Sequence, residues 1–178
     1  MRILLFFIFL STLVSAPNLV LNPGFEEYYS LPTGLSQFYH VKNWTGPTTG
    51  SPDYYNGSIK KVDARTGEGY AGIIIKDKYP DIVEYIQAQL IRPLEKKKYF
   101  FKMHVLLSRE SVVGGNILDA CFVNSRVKVN KWEPLPFIPH VMNPRDRFIT
   151  DMVEWTEVSG FYNAKGGEQF IIIGNFTP

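Results

Sequence analysis

The chain has 178 residues, in which 19 lysines and arginines oppose 17 aspartates and glutamates, and its net charge is +2. A balance this even gives no support for binding nucleic acid, whose phosphates attract strongly basic surfaces. The single cysteine, Cys121, excludes an internal disulfide, and its apolar neighbours Ala120 and Phe122 predict a small buried side chain rather than a nucleophile.

The first 16 residues have the pattern of a signal peptide. Arg2 precedes an apolar run, and the small residues Ser15 and Ala16 follow it. The run is shorter than the roughly 20 residues that a bilayer-spanning helix needs, so we predict export and no membrane span in the mature chain. Residues 17–178 are then expected to form a single domain.

Short strands separated by turns are predicted along most of the mature chain. Residues 18–26 suggest strand, turn and strand, because Pro23 and Gly24 favour a turn between two apolar runs. Residues 69–75 are rich in β-formers, and residues 84–90 alternate between polar and apolar side chains. Residues 99–107 have the strongest alternation, with both faces partly apolar as in the central strand of a sandwich.

The C-terminal half suggests two hairpins and one long loop. Residues 118–123 and 126–129 could pair around Asn124 and Ser125. Four prolines make residues 131–147 a predicted loop, since each proline removes a ladder donor. The stretches before and after Gly166 and Gly167, residues 156–162 and 168–176, read as the second hairpin. No long segment has helical spacing, so the fold class predicted is all-β, an antiparallel β-sandwich.

The chain resembles galactose-binding-like jelly-roll domains, which include many carbohydrate-binding modules. The features that carry the resemblance follow one another in order: the opening segment 18–26, Trp44 after the first loop, the strand at 99–107, and Trp155 followed by 160–168. More narrowly, residues 52–56, 69–73 and 173–176 are similar to the N-terminal domain of exported proteins that carry an OmpA-type peptidoglycan-binding domain further on.

The resemblance implies a jelly roll whose last strand pairs beside the first strand. The sequence stops at Pro178 without such a strand, so we expect a sandwich that lacks the closing C-terminal strand. The resemblance also implies a structural Ca²⁺ near the opening segment, with Glu26 and Asn22 as candidate oxygen ligands. Glu26 as a hydrogen-bonding partner for a turn is the alternative. A location in the periplasm, at the outer membrane or outside the cell follows from the same resemblance.

Carbohydrate binding predicts aromatic faces for stacking on sugar rings and polar side chains for the hydroxyls. Stacking candidates stand in loop-like stretches, and polar candidates stand in or beside strands. Each also has a structural alternative. Tyr54 and Tyr55 could pack loops, Gln87 could face solvent, and His104 could be a hydrogen-bonded residue of its strand. Trp44 and Trp155 adjoin strands and are expected in the core. The candidate ligand-binding residues are Tyr54, Tyr55, Gln87, His104, Arg109 and Trp132.

The predicted function is therefore non-catalytic binding of a carbohydrate or cell-envelope glycan. The chain is either a truncated product or part of a longer parent, and for a longer parent the resemblance implies a peptidoglycan-binding domain downstream. No spacing singles out a carboxylate pair for glycoside hydrolysis, and no nucleophile or metal-protease motif is present. A structural or protein-interaction domain of the outer envelope is the alternative, and an enzyme acting on polysaccharide is the third possibility.

Overall fold

Antiparallel strands and long connecting loops make up this fold. The computed structural model describes residues 17–76, 82–111 and 114–177, and the predicted signal peptide lies outside them. Within these ranges there is no α-helix, only a 3-10 turn at Phe38–His40, and no helix long and apolar enough to cross a membrane. The strands are β1 Trp44–Thr45, β2 Asp53–Tyr55, β3 Tyr70–Gly72, β4 Tyr85–Gln89, β5 Lys98–Val105, β6 Asp119–Val123, β7 Val141–Met142, β8 Thr156–Asn163 and β9 Phe170–Gly174.

The largest sheet has five strands in the order β1-β4-β9-β6-β7. Its centre is β9, which pairs antiparallel with β4 on one side and β6 on the other, so that Ile172 lies opposite both Gln87 and Cys121. All five residues of β9 are apolar or glycine, and four are buried. Such a continuous apolar run suits a strand that is covered on both faces.

A two-stranded ribbon of β5 and β8 covers one face of this sheet. The ladder runs from Lys98 opposite Asn163 to Val105 opposite Thr156. The main hydrophobic core combines ribbon and sheet side chains, Phe101, Val158 and Tyr162 with Ile86, Ala88, Ala120, Phe122, Ile171 and Ile173. Two antiparallel layers around one core are compatible with a β-sandwich, so the predicted all-β class is confirmed.

The opposite face of the sheet is covered by residues 124–140, which we call the cover loop. Leu135 of this loop packs with Tyr85, Cys121 and Ile172 in a second apolar cluster. The side-chain amide of Gln87 accepts the Val127 backbone N–H at 2.8 Å and donates to the Val127 carbonyl at 3.1 Å. The cover loop is thus held to the sheet by polar contacts as well as by apolar burial.

The strands predicted from alternation are confirmed at β4 and β5, whereas the run at 69–75 is a strand only over β3. The predicted central position of β5 is wrong among the described residues, because β5 pairs only with β8. The predicted loop at 131–147 is interrupted by β7, which pairs with β6.

The opening segment forms a turn but not two strands. Val20 makes a single antiparallel bridge to Leu90, and the Phe25 N–H donates to the Asn22 carbonyl at 3.2 Å. Asn22 and Phe25 adopt positive φ angles of 49° and 60°, which ends any extended run. The Phe25 ring then packs on Trp44 at 5.0 Å between ring centroids.

Both predicted hairpins are wrong. Residues 126–129 form no strand, because Val127 is bonded to Gln87 and the Val129 N–H donates to the Pro47 carbonyl at 2.9 Å. β8 and β9 belong to different sheets, β8 to the ribbon and β9 to the large sheet. The buried Glu168 carboxylate organises this crossing, since it accepts the Tyr162 hydroxyl at 2.5 Å and the Lys165 and Gly166 N–H groups at 2.8 and 3.0 Å.

Candidate functional site

An open cleft of about 810 Å³ lies where the end of β5 and the start of β8 face the loop between β2 and β3. We call it the histidine cleft. Residues 60–65 form one wall, and the chain from 152 to 155 forms another. Its charged and aromatic lining includes Arg65, His104, Arg109, Glu154, Trp155 and Glu157.

Trp155 is fixed in the wall of this cleft. Its indole N–H donates to the Asp63 carbonyl at 3.2 Å, and its ring meets Tyr70 edge to face at 6.1 Å. Tyr70 in turn stacks on Tyr55 at 4.9 Å with an interplanar angle of 12°. β2 and β3 pair antiparallel, and this β2–β3 hairpin with its loop therefore holds the tryptophan. Trp155 is only partly buried, so its predicted place in the core is wrong.

His104 lies between groups of opposite charge. Its Nε2 is 3.7 Å from a carboxylate oxygen of Glu157, directly across the ladder of the ribbon. Burial and the Arg65 guanidinium lower the pKa of His104, while Glu157 acts in the opposite sense. The shift favours the neutral imidazole, which has one nitrogen donor and one nitrogen acceptor.

The charged groups of the histidine cleft are only partly neutralised by one another. Lys60 pairs with Glu68 and Lys61 pairs with Glu110. Across the described ranges, Arg65, Arg109 and Glu154 form no ion pair. The cleft therefore offers guanidinium donors and carboxylate acceptors beside an aromatic ring.

Two of the six predicted ligand residues come together here. His104 and Arg109 both line the histidine cleft, although a turn separates Arg109 from the end of β5. Trp132 is 45% exposed on the cover loop and does not line this cleft.

The other three predicted ligand residues are buried side chains with internal partners. Tyr54 donates its hydroxyl to the Phe25 carbonyl at 2.9 Å and accepts the Asn56 amide at 2.8 Å. Tyr55 donates to the Asp53 carboxylate at 2.9 Å. Gln87 holds the cover loop. Tyr54 and Tyr55 thus have the packing role that was their alternative. Gln87, whose alternative was a solvent-facing position, is instead buried under the cover loop.

Sequence reasoning missed Arg65, Trp155 and Glu157 as cleft residues. The alternation of β5 places His104 on the outer face with Lys102, and the register of β8 then places Glu157 opposite His104. No local signal identifies Arg65, because its position depends on how the β2–β3 loop lies against the ribbon.

The two residues named for calcium make hydrogen bonds to backbone groups. Glu26 Oε1 accepts the Glu68 and Gly69 N–H groups at 3.0 and 2.9 Å. The Asn22 amide donates to the carbonyls of Glu27 and Lys42, and its oxygen accepts the Glu27 N–H. The described residues hold no group of three or more His, Cys, Asp or Glu side chains placed for a metal. Calcium binding stays a prediction, and a bound ion would have to replace these hydrogen bonds.

Comparisons with known proteins found no matching family model, curated protein or solved structure.

Proposed function

We propose that this chain is a non-catalytic binding domain for glycans and that the histidine cleft is its binding site. The observation that carries the proposal is the convergence of His104 and Arg109 with the partly buried Trp155 on one open cleft. A sugar ring has an apolar face suited to an indole, and its hydroxyls both donate and accept hydrogen bonds.

The mixed charge of the histidine cleft supports a hydroxyl-rich ligand over a simple ion. Arg109 and Arg65 supply donors, and Glu154 and Glu157 supply acceptors. The neutral ring of His104 supplies one donor and one acceptor. A polyol can satisfy both kinds of group at once, whereas a simple ion can pair with only one kind.

Export is part of the same proposal, and its support is the leader at residues 1–16. A glycan-binding domain with this leader would act at the cell envelope or outside the cell. Fractionation of cells that produce the chain with a C-terminal tag tests the location, and a tagged product found only in the cytoplasm would refute export.

A glycan array tests the binding proposal. The array should include peptidoglycan fragments, chitooligosaccharides and β-glucans, probed with the wild-type chain and with Arg109→Ala, Trp155→Ala and Arg147→Ala. We expect loss of one charge-assisted hydrogen bond in Arg109→Ala to weaken binding by about tenfold or more. Arg147 is exposed and does not line the cleft, so its variant is the matched control. Retention of no glycan by the wild type, or equal retention by Arg109→Ala, would refute the proposal.

A further inference from the structure

A second cleft, of about 710 Å³, lies beside β1 and the exposed end of β4 at Gln89. We call it the tyrosine cleft. Its floor includes the buried side chains of Phe38 and Trp44, and its rim is formed by the chain segments before β2 and by the first residues of the cover loop. The residues of its rim and walls include Tyr29, Tyr39, Gln89, Arg126, Lys128 and Phe170.

Two tyrosines present large exposed rings to this cleft. Tyr29 is 73% exposed and Tyr39 is 66% exposed. The Lys42 ammonium lies 5.7 Å from the centroid of the Tyr29 ring, and the His40 ring lies 4.4 Å from that of Tyr39. Each tyrosine is thus held from one side by a neighbour while most of its surface stays open to a ligand.

The charge of the tyrosine cleft is of one sign. Arg126 and Lys128 are exposed on its wall, and neither forms an ion pair within residues 17–76, 82–111 and 114–177. None of the residues that line the cleft is an aspartate or a glutamate.

Two carboxylates approach the lining backbone but are already bonded. Glu84 is buried and accepts the Ser51 and Ile74 N–H groups at 2.8 and 2.9 Å. Asp53 accepts the Ser36 N–H at 2.5 Å and the Tyr55 hydroxyl at 2.9 Å. Neither is among the groups that face a ligand in the cleft.

We propose that the tyrosine cleft is a second binding site and that it takes an acidic saccharide. The tyrosine rings would stack on the sugar, the exposed Gln89 amide would bond a hydroxyl, and Arg126 and Lys128 would pair with a carboxylate or sulfate on the ring. The inference shares the sugar class of the proposed function but rests on different residues. The histidine cleft differs in having the carboxylates of Asp63, Glu154 and Glu157 among its cations.

Calorimetric titration with three soluble polymers tests this site. Oligogalacturonate carries carboxylates, dextran sulfate carries sulfates, and unmodified dextran is neutral. We expect at least one acidic polymer to bind at least about tenfold more tightly than dextran, because pairing with an unpaired cation adds a charge-assisted bond. Which acidic polymer binds more tightly distinguishes the carboxylate from the sulfate as the recognised group.

The variants separate specific binding from general attraction. Arg126→Ala with Lys128→Ala should weaken acidic binding about tenfold or more, and Tyr39→Ala should weaken it without any change of charge. Arg147→Ala with Lys165→Ala removes two exposed charges elsewhere and should leave binding unchanged. All of these side chains are exposed, so melting temperatures close to that of the wild type are expected and confirm folding.

Three results would overturn the inference: equal binding of dextran and both acidic polymers, an equal loss in the matched control pair, or tighter binding of a single-stranded oligonucleotide than of any saccharide. Arg109→Ala distinguishes the two sites. If it abolishes glycan-array binding while acidic polymers bind no better than dextran, the proposed function stands and only this second site fails.

Discussion

Glu26 is a single carboxylate that holds two distant parts of the chain together. It connects the opening turn to the backbone of Glu68 and Gly69, just before β3. The approach is so close that a Cβ on Gly67, which has a φ of +64°, would clash with Glu26 Oε1. A side chain at position 67 would therefore displace the carboxylate.

Replacing Glu26 by alanine should reduce the free energy of unfolding by about 1 kcal/mol, because two backbone donors lose their acceptor. Urea denaturation in calcium chloride and in EGTA measures this loss, with the exposed Glu133→Ala as control. The hydrogen-bonding role predicts the same loss in both buffers. If calcium stabilises the wild type but not Glu26→Ala, then Glu26 is a calcium ligand and the hydrogen-bonding account is wrong.

His140 couples stability to pH. Its Nδ1 accepts the Phe122 N–H at 3.0 Å, and its ring lies 4.5 Å from that of Tyr162. Burial lowers the pKa of His140, and Lys165 adds to the effect while Glu168 opposes it. The folded state thus favours the neutral ring, so its contribution is present above the unfolded pKa of about 6.5 and is lost as pH falls towards the folded pKa.

The variant His140→Gln should therefore show a weaker fall in unfolding free energy between about pH 7 and pH 5 than the wild type. Urea denaturation at several pH values measures the two slopes. His104 has a pKa shifted in the same direction and remains in both proteins, so only the difference between them is assigned to His140. Equal slopes would contradict this role.

At the scale of elements, alternation predicted strands but did not predict their partners. The patterns of β4 and β5 identify both strands, since one face of each packs into the core. The glycine turn after β8 suggested a hairpin, yet β9 pairs in the other sheet. The buried Glu168 fixes the connection between the two strands, and the wholly apolar β9 is buried at the centre of the large sheet. Turn residues specify a change of direction, whereas pairing depends on burial that distant segments supply.

The same limit applies to the candidate site. His104 was predictable because it stands on the outer face of a well-patterned strand. The places of Arg65 and Trp155 were not predictable. A long loop brings Arg65 to the ribbon, and the β2–β3 hairpin holds Trp155. Gln87 was misleading, since a polar residue in a strand reads as solvent-facing until the cover loop bonds to it.

The cover loop contains no strand, and the Tyr85 hydroxyl anchors its backbone to the sheet. That hydroxyl accepts the Leu135 N–H at 3.0 Å and donates to the Asn175 carbonyl. In Tyr85→Phe we expect a loss of about 1–3 kcal/mol, because a buried donor and a buried acceptor lose their partner. Native-state hydrogen exchange should show faster exchange at the Leu135 amide. Unchanged exchange there would contradict the anchoring role, and the more exposed Tyr99→Phe is the control.

For the molecule as a whole, stability rests on two apolar clusters, one on each face of the five-stranded sheet. Cys121 lies in the second cluster as a free, buried thiol, and burial raises its pKa to about 11. The thiolate is the reactive form, so the folded protein should be nearly inert to thiol reagents.

Labelling with a chromogenic disulfide should therefore be slow in buffer and fast in urea, and dithiothreitol should leave the melting temperature unchanged. Cys121→Ala, which leaves a small cavity, should cost about 1–2 kcal/mol. Rapid labelling of the folded protein would show that the cover loop opens readily.

The two clefts lie on different parts of the sandwich and differ in chemistry. The histidine cleft mixes donors, acceptors and an indole, whereas the tyrosine cleft combines exposed rings with cations alone. This difference predicts that one chain recognises two kinds of saccharide by separate surfaces.

The central claim is that the histidine cleft binds glycan, and the Trp155 indole reports on it directly. The chain has three tryptophans, so ¹⁵N nuclear magnetic resonance should show three indole N–H signals. On titration with the tightest-binding soluble oligosaccharide from the array, we predict a saturable shift of the Trp155 signal. The buried Trp44 signal, whose N–H donates to the Asn22 carbonyl at 2.9 Å, should stay in place. Saturable binding that leaves Trp155 unmoved and shifts Trp132 would contradict the claim.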